Sequence, residues 1–164
     1  TVTLNGMTLV RNVPSNLAYR ADATIVATAK SGAAVTLTSL TPDCTYSNGI
    51  FTALKGVGQC ALAYSTQATA TTAAASGNFP FILVPGTQKI TRVPTSVKRG
   101  AAKALPLETN FGSPITYTSV GKSCPVEGNL VEAKKSGVCN LKATAPAKEG
   151  MWNALNTTIK LRVK

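Results

Sequence analysis

The sequence predicts an all-β protein built as two tandem β-sandwich domains, each with one intradomain disulfide. Three observations predict it: an internal repeat at an offset of 80 residues, short runs of Val, Ile, Leu and Thr broken by turn residues, and four cysteines at matching places in the two copies. A self-similar period decides the architecture, so the repeat is taken first.

Shifting the chain by 80 residues lays Val13-Pro14-Ser15 on Val93-Pro94-Thr95 and Gly32 on Gly112. The run Val35–Leu40 falls on Ile115–Val120, and Cys44 falls on Cys124. One deletion between the cysteines then brings Cys60-Ala61-Leu62-Ala63 onto Cys139-Asn140-Leu141-Lys142. Two homologous domains are expected, 1–84 and 87–164, joined around Pro85-Gly86.

Strands follow from composition and turn signals. In the first repeat they are expected at Thr1–Leu4, Met7–Val10, Thr24–Thr28, Val35–Ser39, Ile50–Leu54, Gln59–Tyr64 and Phe79–Val84. In the second they are expected at Lys89–Val93, Lys103–Thr109, Ile115–Ser119, Leu130–Ala133, Val138–Ala143 and Thr157–Val163. Two-fold alternation is plain in the last, where Ile159, Leu161 and Val163 share a face. Breakers recur at Ser47-Asn48-Gly49, Gly56-Val57-Gly58, Glu127-Gly128-Asn129 and Ser136-Gly137. About seven short strands per copy without helical periodicity read as a sandwich. Thr66–Asn78 reads as a polar loop or an Ala-rich short helix, with a smooth flank for subunit packing as the functional alternative.

Hydrophobic residues make up 44% of the 164, but aromatics only 5%, so each core must be thin and aliphatic. Small cores of that kind are marginal, and a covalent staple is useful to them. Cys44, Cys60, Cys124 and Cys139 are spaced C-x15-C and C-x14-C. Zinc sites usually pair ligands two to four residues apart, and the chain has no histidine, so disulfides fit better than an all-cysteine zinc site. Repeat symmetry selects 44–60 and 124–139 from the three connectivities, because each domain then closes alone. Disulfides imply an oxidising compartment. No window approaches 18 uninterrupted apolar residues, so no spanning helix is expected. The chain begins at Thr1 without a signal-like stretch. Removal of a leader, loss of Met alone, or excision from a longer chain each fit; with the disulfides, a secreted protein whose leader has been removed is the expectation.

The stretch Thr38-Ser39-Leu40-Thr41-Pro42-Asp43-Cys44, then Gly49-Ile50-Phe51-Thr52-Ala53, then Gly58-Gln59-Cys60-Ala61-Leu62 resembles bacterial immunoglobulin-like repeats of surface adhesins and secreted structural proteins. The second copy keeps Thr118-Ser119, Cys124, Gly128, Ala133, Gly137 and Cys139-Asn140-Leu141, and departs at Ser123, where Pro-Asp would lead. The resemblance covers most of both copies. It implies immunoglobulin-like sandwiches serving as stalks, filaments or binding modules, and fold alone does not choose among these.

The residues argue against catalysis. There is no His base, and the six acids are Asp22, Asp43, Glu108, Glu127, Glu132 and Glu149. Glu127 and Glu132 flank a Gly-Asn turn and read as solvated hairpin charges rather than a catalytic pair. Gly56-Val57-Gly58 lacks the Lys-Ser/Thr of a phosphate loop, and scattered acids make no calcium cage. No enzyme, cofactor or metal is expected. Charge is the functional signal: the net charge is +11, of which residues 85–164 carry +9, with thirteen bases against four acids. Contact with an acidic glycan or other polyanion is placed on Lys98-Arg99, Lys103, Lys134-Lys135, Lys142 and Lys148, with Lys160, Arg162 and Lys164 adding charge. A solvated, solubilising surface is the bland alternative. Nucleic acid is disfavoured, because no recognised motif and few stacking aromatics are present. Met151-Trp152 reads as core or loop packing rather than an exposed anchor.

The frame leaves one extra strand at the start of the chain, Thr1-Val2-Thr3-Leu4. Asn5-Gly6 suits a type I′ turn that would make a local hairpin with Met7–Val10. Two other readings compete with the hairpin. In one the strand is the tail of a preceding repeat. In the other it pairs with the sheet edge of another subunit, which makes Thr1–Leu4 candidate subunit contacts for self-association. Two function classes fit: a bacterial cell-surface filament subunit or adhesin stalk, assembling by β-strand contacts, and an accessory protein decorating a phage capsid or tail. A signal peptide in the precursor supports the first; an initiator Met alone supports the second.

Overall fold

The computed structural model describes all 164 residues, and every regular element in it is a strand. The chain packs as two compact units: Thr1–Gly86 with Gly150–Trp152, and Thr87–Glu149 with Asn153–Lys164. No helix is long and apolar enough to cross a membrane.

The first unit holds β1 (Val2–Leu4), β2 (Met7–Thr8), β3 (Ser15–Ala18), β4 (Asp22–Ala27), β5 (Val35–Ser39), β6 (Cys44–Ser47), β7 (Ile50–Ala53), β8 (Gln59–Thr66) and β9 (Ala75–Val84). They form two sheets, ordered β2-β1-β4-β7-β6 and β3-β9-β8-β5. Apart from the short β2, this is the A-B-E-D sheet of an immunoglobulin sandwich against its C-F-G sheet, with β3 added parallel to β9. The second unit holds β10 (Ser96–Val97), β11 (Ala102–Ala104), β12 (Thr116–Ser119), β13 (Val126–Glu127), β14 (Leu130–Glu132), β15 (Gly137–Ala145) and β16 (Leu155–Val163). Its sheets run β11-β14-β13 and β10-β16-β15-β12, the same order without a counterpart of β1 and β2.

Alternation buries one face of each sheet against the other. In the first unit Phe51 of β7 and Phe81 of β9 meet from opposite sheets with ring centroids 5.0 Å apart, and both are fully buried. In the second, Val131 of β14 and Leu161 of β16 are fully buried on the corresponding strands, and that core is aliphatic apart from Tyr117 of β12. Cys44 of β6 bonds Cys60 of β8, and Cys124, just before β13, bonds Cys139 of β15. Each bridge crosses between the two sheets of its unit, and all four cysteines are buried.

The strand boundaries differ from expectation where local chemistry or a partner decides. Lys89–Val93 is not a strand: Arg92 lies in the left-handed region at φ 59°, and the Lys89 N–H donates to Asn110 Oδ1. The strand expected over Lys103–Thr109 stops at Ala104, because Pro106 has no N–H to give the ladder. The short β3, β6, β10 and β13 were not expected from composition; each is defined by the partner it pairs with. Thr66–Asn78 is neither a simple loop nor a helix. The β8–β9 ladder continues to Thr66↔Ala75, leaving residues 67–74 as the connection.

At the chain start, Asn5 and Gly6 both take positive φ, 48° and 83°, as a type I′ hairpin requires. β1 pairs with β2 on one side and β4 on the other. The backbone groups that Thr1–Leu4 were expected to offer a neighbouring subunit are therefore taken up within the chain. Strand addition by these four residues would therefore have to displace β2 from the outer edge of β1.

Candidate functional site

The bases of the second unit separate into three groups once the strands are placed. β16 alternates so that Ile159, Leu161 and Val163 are buried and Lys160 and Arg162 are exposed. β15 alternates in the same way, with Lys142 exposed between buried Leu141 and Ala143. Lys142 sits directly opposite Thr158 and therefore diagonal to Lys160, while Arg162 is two residues further along β16. Diagonal neighbours lie about 7–8 Å apart, and alternate residues of a strand about 6.6 Å apart. Three cations thus share the outer face of one sheet, each within about one Debye length of the next, about 8 Å at physiological salt, so that neighbouring fields overlap.

The rest of that face is neutral. Thr116 and Thr118 of β12, Val138, Asn140 and Thr144 of β15, and Asn156 and Thr158 of β16 occupy the remaining outward positions. Two of the unit's four acids, Glu127 and Glu132, belong to the other sheet, on β13 and β14. Glu108 and Glu149 lie outside the strands.

The second group stands at a corner of the unit, where β10 and β16 of this sheet meet β11 of the three-stranded one. Lys98, Lys103 and Lys164 line a cleft of about 440 Å³ with Ser96, Val97 and Ala102. A smaller cleft beside it, about 280 Å³, is lined by Thr95, Ser96, Arg162 and Lys164, so Arg162 and Lys164 join the face to the end. Backbone bonds fix this corner: Lys164 N–H donates to Val97 O, and Arg99 N–H donates to Lys164 O.

The third group is set apart. Lys134 is ion-paired with Glu132 at 3.8 Å on the three-stranded sheet, with Lys135 next to it, and Lys148 lies in the β15–β16 connection. Of the residues singled out from the sequence, Lys142, Lys160 and Arg162 lie on the face, Lys98, Lys103 and Lys164 line the corner cleft, and Arg99 is bonded to Lys164 there through its backbone. The structure does not bring Lys134, Lys135 or Lys148 onto that face. The alternation of Ile159, Leu161 and Val163 already held the signal for Lys160 and Arg162, since residues between buried ones must point outward.

The first unit supplies an internal comparison. Cys60 pairs with Phe81 as Cys139 pairs with Leu161, which makes Ala63, Pro80 and Ile82 the counterparts of Lys142, Lys160 and Arg162. The outward residues of that sheet are Thr36, Thr38, Gln59, Ala61, Ala63, Ser65, Ser76, Asn78, Pro80 and Ile82. None carries a charge. Trp152 is half-buried and tilted against Tyr19 in the first unit, with centroids 5.6 Å apart, so it is a packing residue. No group of three or more His, Cys, Asp or Glu side chains is placed to hold a metal ion.

No protein-family model matches the chain, and no curated protein matches it. Among solved structures the chain is similar to domains 4 and 5 of the S-layer protein SbsC, with 13% identity, TM-score 0.34, and coverage of 99% of this chain and 96% of that one. It is similar to fibronectin(III)-like modules of Clostridium thermocellum CbhA, with 15% identity, TM-score 0.31, and coverage of 100% and 94%. It is also similar to extracellular domains 3–5 of Drosophila OTK, with 15% identity and TM-score 0.35, where 98% of this chain spans 65% of that one. The fold itself rests on the strand orders and registers above: an all-β chain of two immunoglobulin-like β-sandwich units, each closed by one disulfide.

Proposed function

We propose that this chain is a non-enzymatic, extracellular adhesive or stalk module of a bacterial surface, which contacts an acidic glycan or similar polyanion through the four-stranded sheet of its second unit. One observation carries the reading. Equivalent faces of two sandwiches with the same strand order carry three cations and no acid in one case, and no charge at all in the other. Charge added for solubility alone has no reason to gather on one face. The motif resemblance and the two buried disulfides support a secreted setting. The two units are read as tandem repeats of one ancestral domain, since the 80-residue frame and the strand order agree. A stalk is preferred to a filament built by strand donation, because β1 is flanked on both sides by its own chain.

The test is retention of the full chain on immobilised heparin, used as a generic acidic polysaccharide. The triple variant Lys142→Ser, Lys160→Ser, Arg162→Ser is expected to elute at clearly lower salt than the parent. The triple variant Lys134→Ser, Lys135→Ser, Lys148→Ser is expected to shift less. Equal shifts for the two triples contradict a dedicated face.

A further inference from the structure

The first unit has a cleft of about 440 Å³ at the end of its sandwich where the β4–β5 and β8–β9 connections meet. In this fold the loops clustered at the ends of the sandwich are the common carriers of binding function on a rigid scaffold. From the geometry we infer that this cleft binds a carboxylate-bearing sugar residue of the uronic-acid type. The inference stands independently of the basic face on the second unit.

Charge comes first. Arg11 and Lys30 line the cleft, and no acid does. The first unit's acids within residues 1–86 are Asp22 and Asp43. Asp43 is held 2.7 Å from Lys55, and Asp22 begins β4, at the opposite end of that strand from the cleft residue Thr28. Neither neutralises the two cations.

Arg11 is positioned rather than loose. Its guanidinium lies 5.4 Å from the Tyr64 ring centroid and donates to the Tyr64 hydroxyl. A guanidinium has five N–H donors, so others remain for a carboxylate. The Tyr64 ring is seated in turn. It faces Gly77 directly across the β8–β9 ladder, where a Cβ would meet the ring at 2.8 Å, and it lies 5.4 Å from the ring of Phe79. Gly77 thus leaves the space that lets Tyr64 hold Arg11 at the cleft.

The other lining divides into an apolar wall, including Val2, Leu9 and Val35, and hydroxyl-bearing residues, including Thr28, Ser31 and Thr72. A ligand complementary to this lining has one negative group, several hydroxyls and an apolar ring face. A uronic acid offers all three. The volume lies in the range of small-molecule sites and suits one or two sugar rings rather than a polymer laid flat.

The experiment is a backbone-amide NMR titration of the full chain with D-glucuronate at physiological salt, with D-glucose and acetate as separate controls. Glucuronate is expected to shift amides of the cleft saturably, with a dissociation constant of about millimolar order. Glucose and acetate are expected to shift them less. Arg11→Ser and Lys30→Ser, both at exposed positions, should each weaken glucuronate binding by at least about fivefold while the spectrum stays dispersed. Arg11→Lys should weaken it less than Arg11→Ser, and Lys142→Ser should leave it unchanged. No cleft shifts with glucuronate, equal shifts with acetate or with glucose, or equal weakening by Lys142→Ser overturns the inference. Each of these results leaves the heparin test of the second unit standing.

Discussion

Cys44 and Cys60 stand 16 residues apart in sequence, Cys124 and Cys139 stand 15 apart, and each pair links the two sheets of one thin sandwich. Closing a loop of that length contributes about 3 kcal/mol in the chain-entropy model, a large share of a small domain's stability. The double variant Cys44→Ser, Cys60→Ser is therefore expected to lose about 3 kcal/mol from the first unit's unfolding free energy in denaturant. Fluorescence of Trp152, which packs with that unit, follows the transition; an unchanged midpoint contradicts the expectation. Tyr117 gives a pH-dependent counterpart in the second unit. Its hydroxyl donates to Pro106 O at 2.8 Å, and burial raises its pKa above 10.0. The folded state holds this proton more tightly than the unfolded state, so the contribution is constant below about pH 10 and falls as pH rises through the raised native pKa. Tyr117→Phe should reduce the alkaline loss of stability; if the alkaline slopes of parent and variant coincide, the burial argument fails. The disulfide pairing was legible because the repeat frame put both cysteine pairs in register. The Arg11–Tyr64–Gly77 arrangement was not legible, because it joins residues 53 and 66 positions apart through a cross-strand pairing that lies ahead of the expected start of β9 at Phe79.

At the level of elements, long alternating strands such as β16 and β8 were legible, because apolar residues at every second position specify one buried face. Strands of two to four residues, β3, β10 and β13 among them, carry too few residues for a pattern and exist because a neighbouring strand offers its edge. Lys89–Val93 misled in the opposite direction: its composition favours a strand, but Arg92 takes a left-handed conformation ahead of Pro94. The basic face lay between these cases. The number of cations was readable, and so was the alternation of β16. That Lys142 lies diagonal to Lys160, while Lys134 lies against Glu132 on the other sheet, depends on strand pairing across the sandwich. Retention on heparin should weaken steeply as salt rises, because exposed charge contacts are screened. In Lys142→Ser, Lys160→Ser, Arg162→Ser that salt dependence should be shallower; an unaltered dependence in the triple variant places the contact elsewhere.

At the level of the molecule, two sandwiches with the same strand order differ in what they present. The first has an aromatic core, an uncharged outer sheet and a cleft rimmed by Arg11 and Lys30. The second has a core that is aliphatic apart from Tyr117, and it concentrates cations on one sheet and its adjoining corner. The same scaffold under different surfaces fits a division of labour in which one unit carries the polymer contact. The most direct measurement is amide chemical-shift mapping of the intact chain during titration with a heparin oligosaccharide. The account predicts salt-sensitive shifts concentrated on β15, β16 and the corner around Lys98, Lys103 and Lys164, with the outer face of the first unit's β8 and β9 silent. Shifts of equal size on Ala61, Ala63, Asn78 and Ile82, or shifts centred on Lys134 and Lys135, would contradict it.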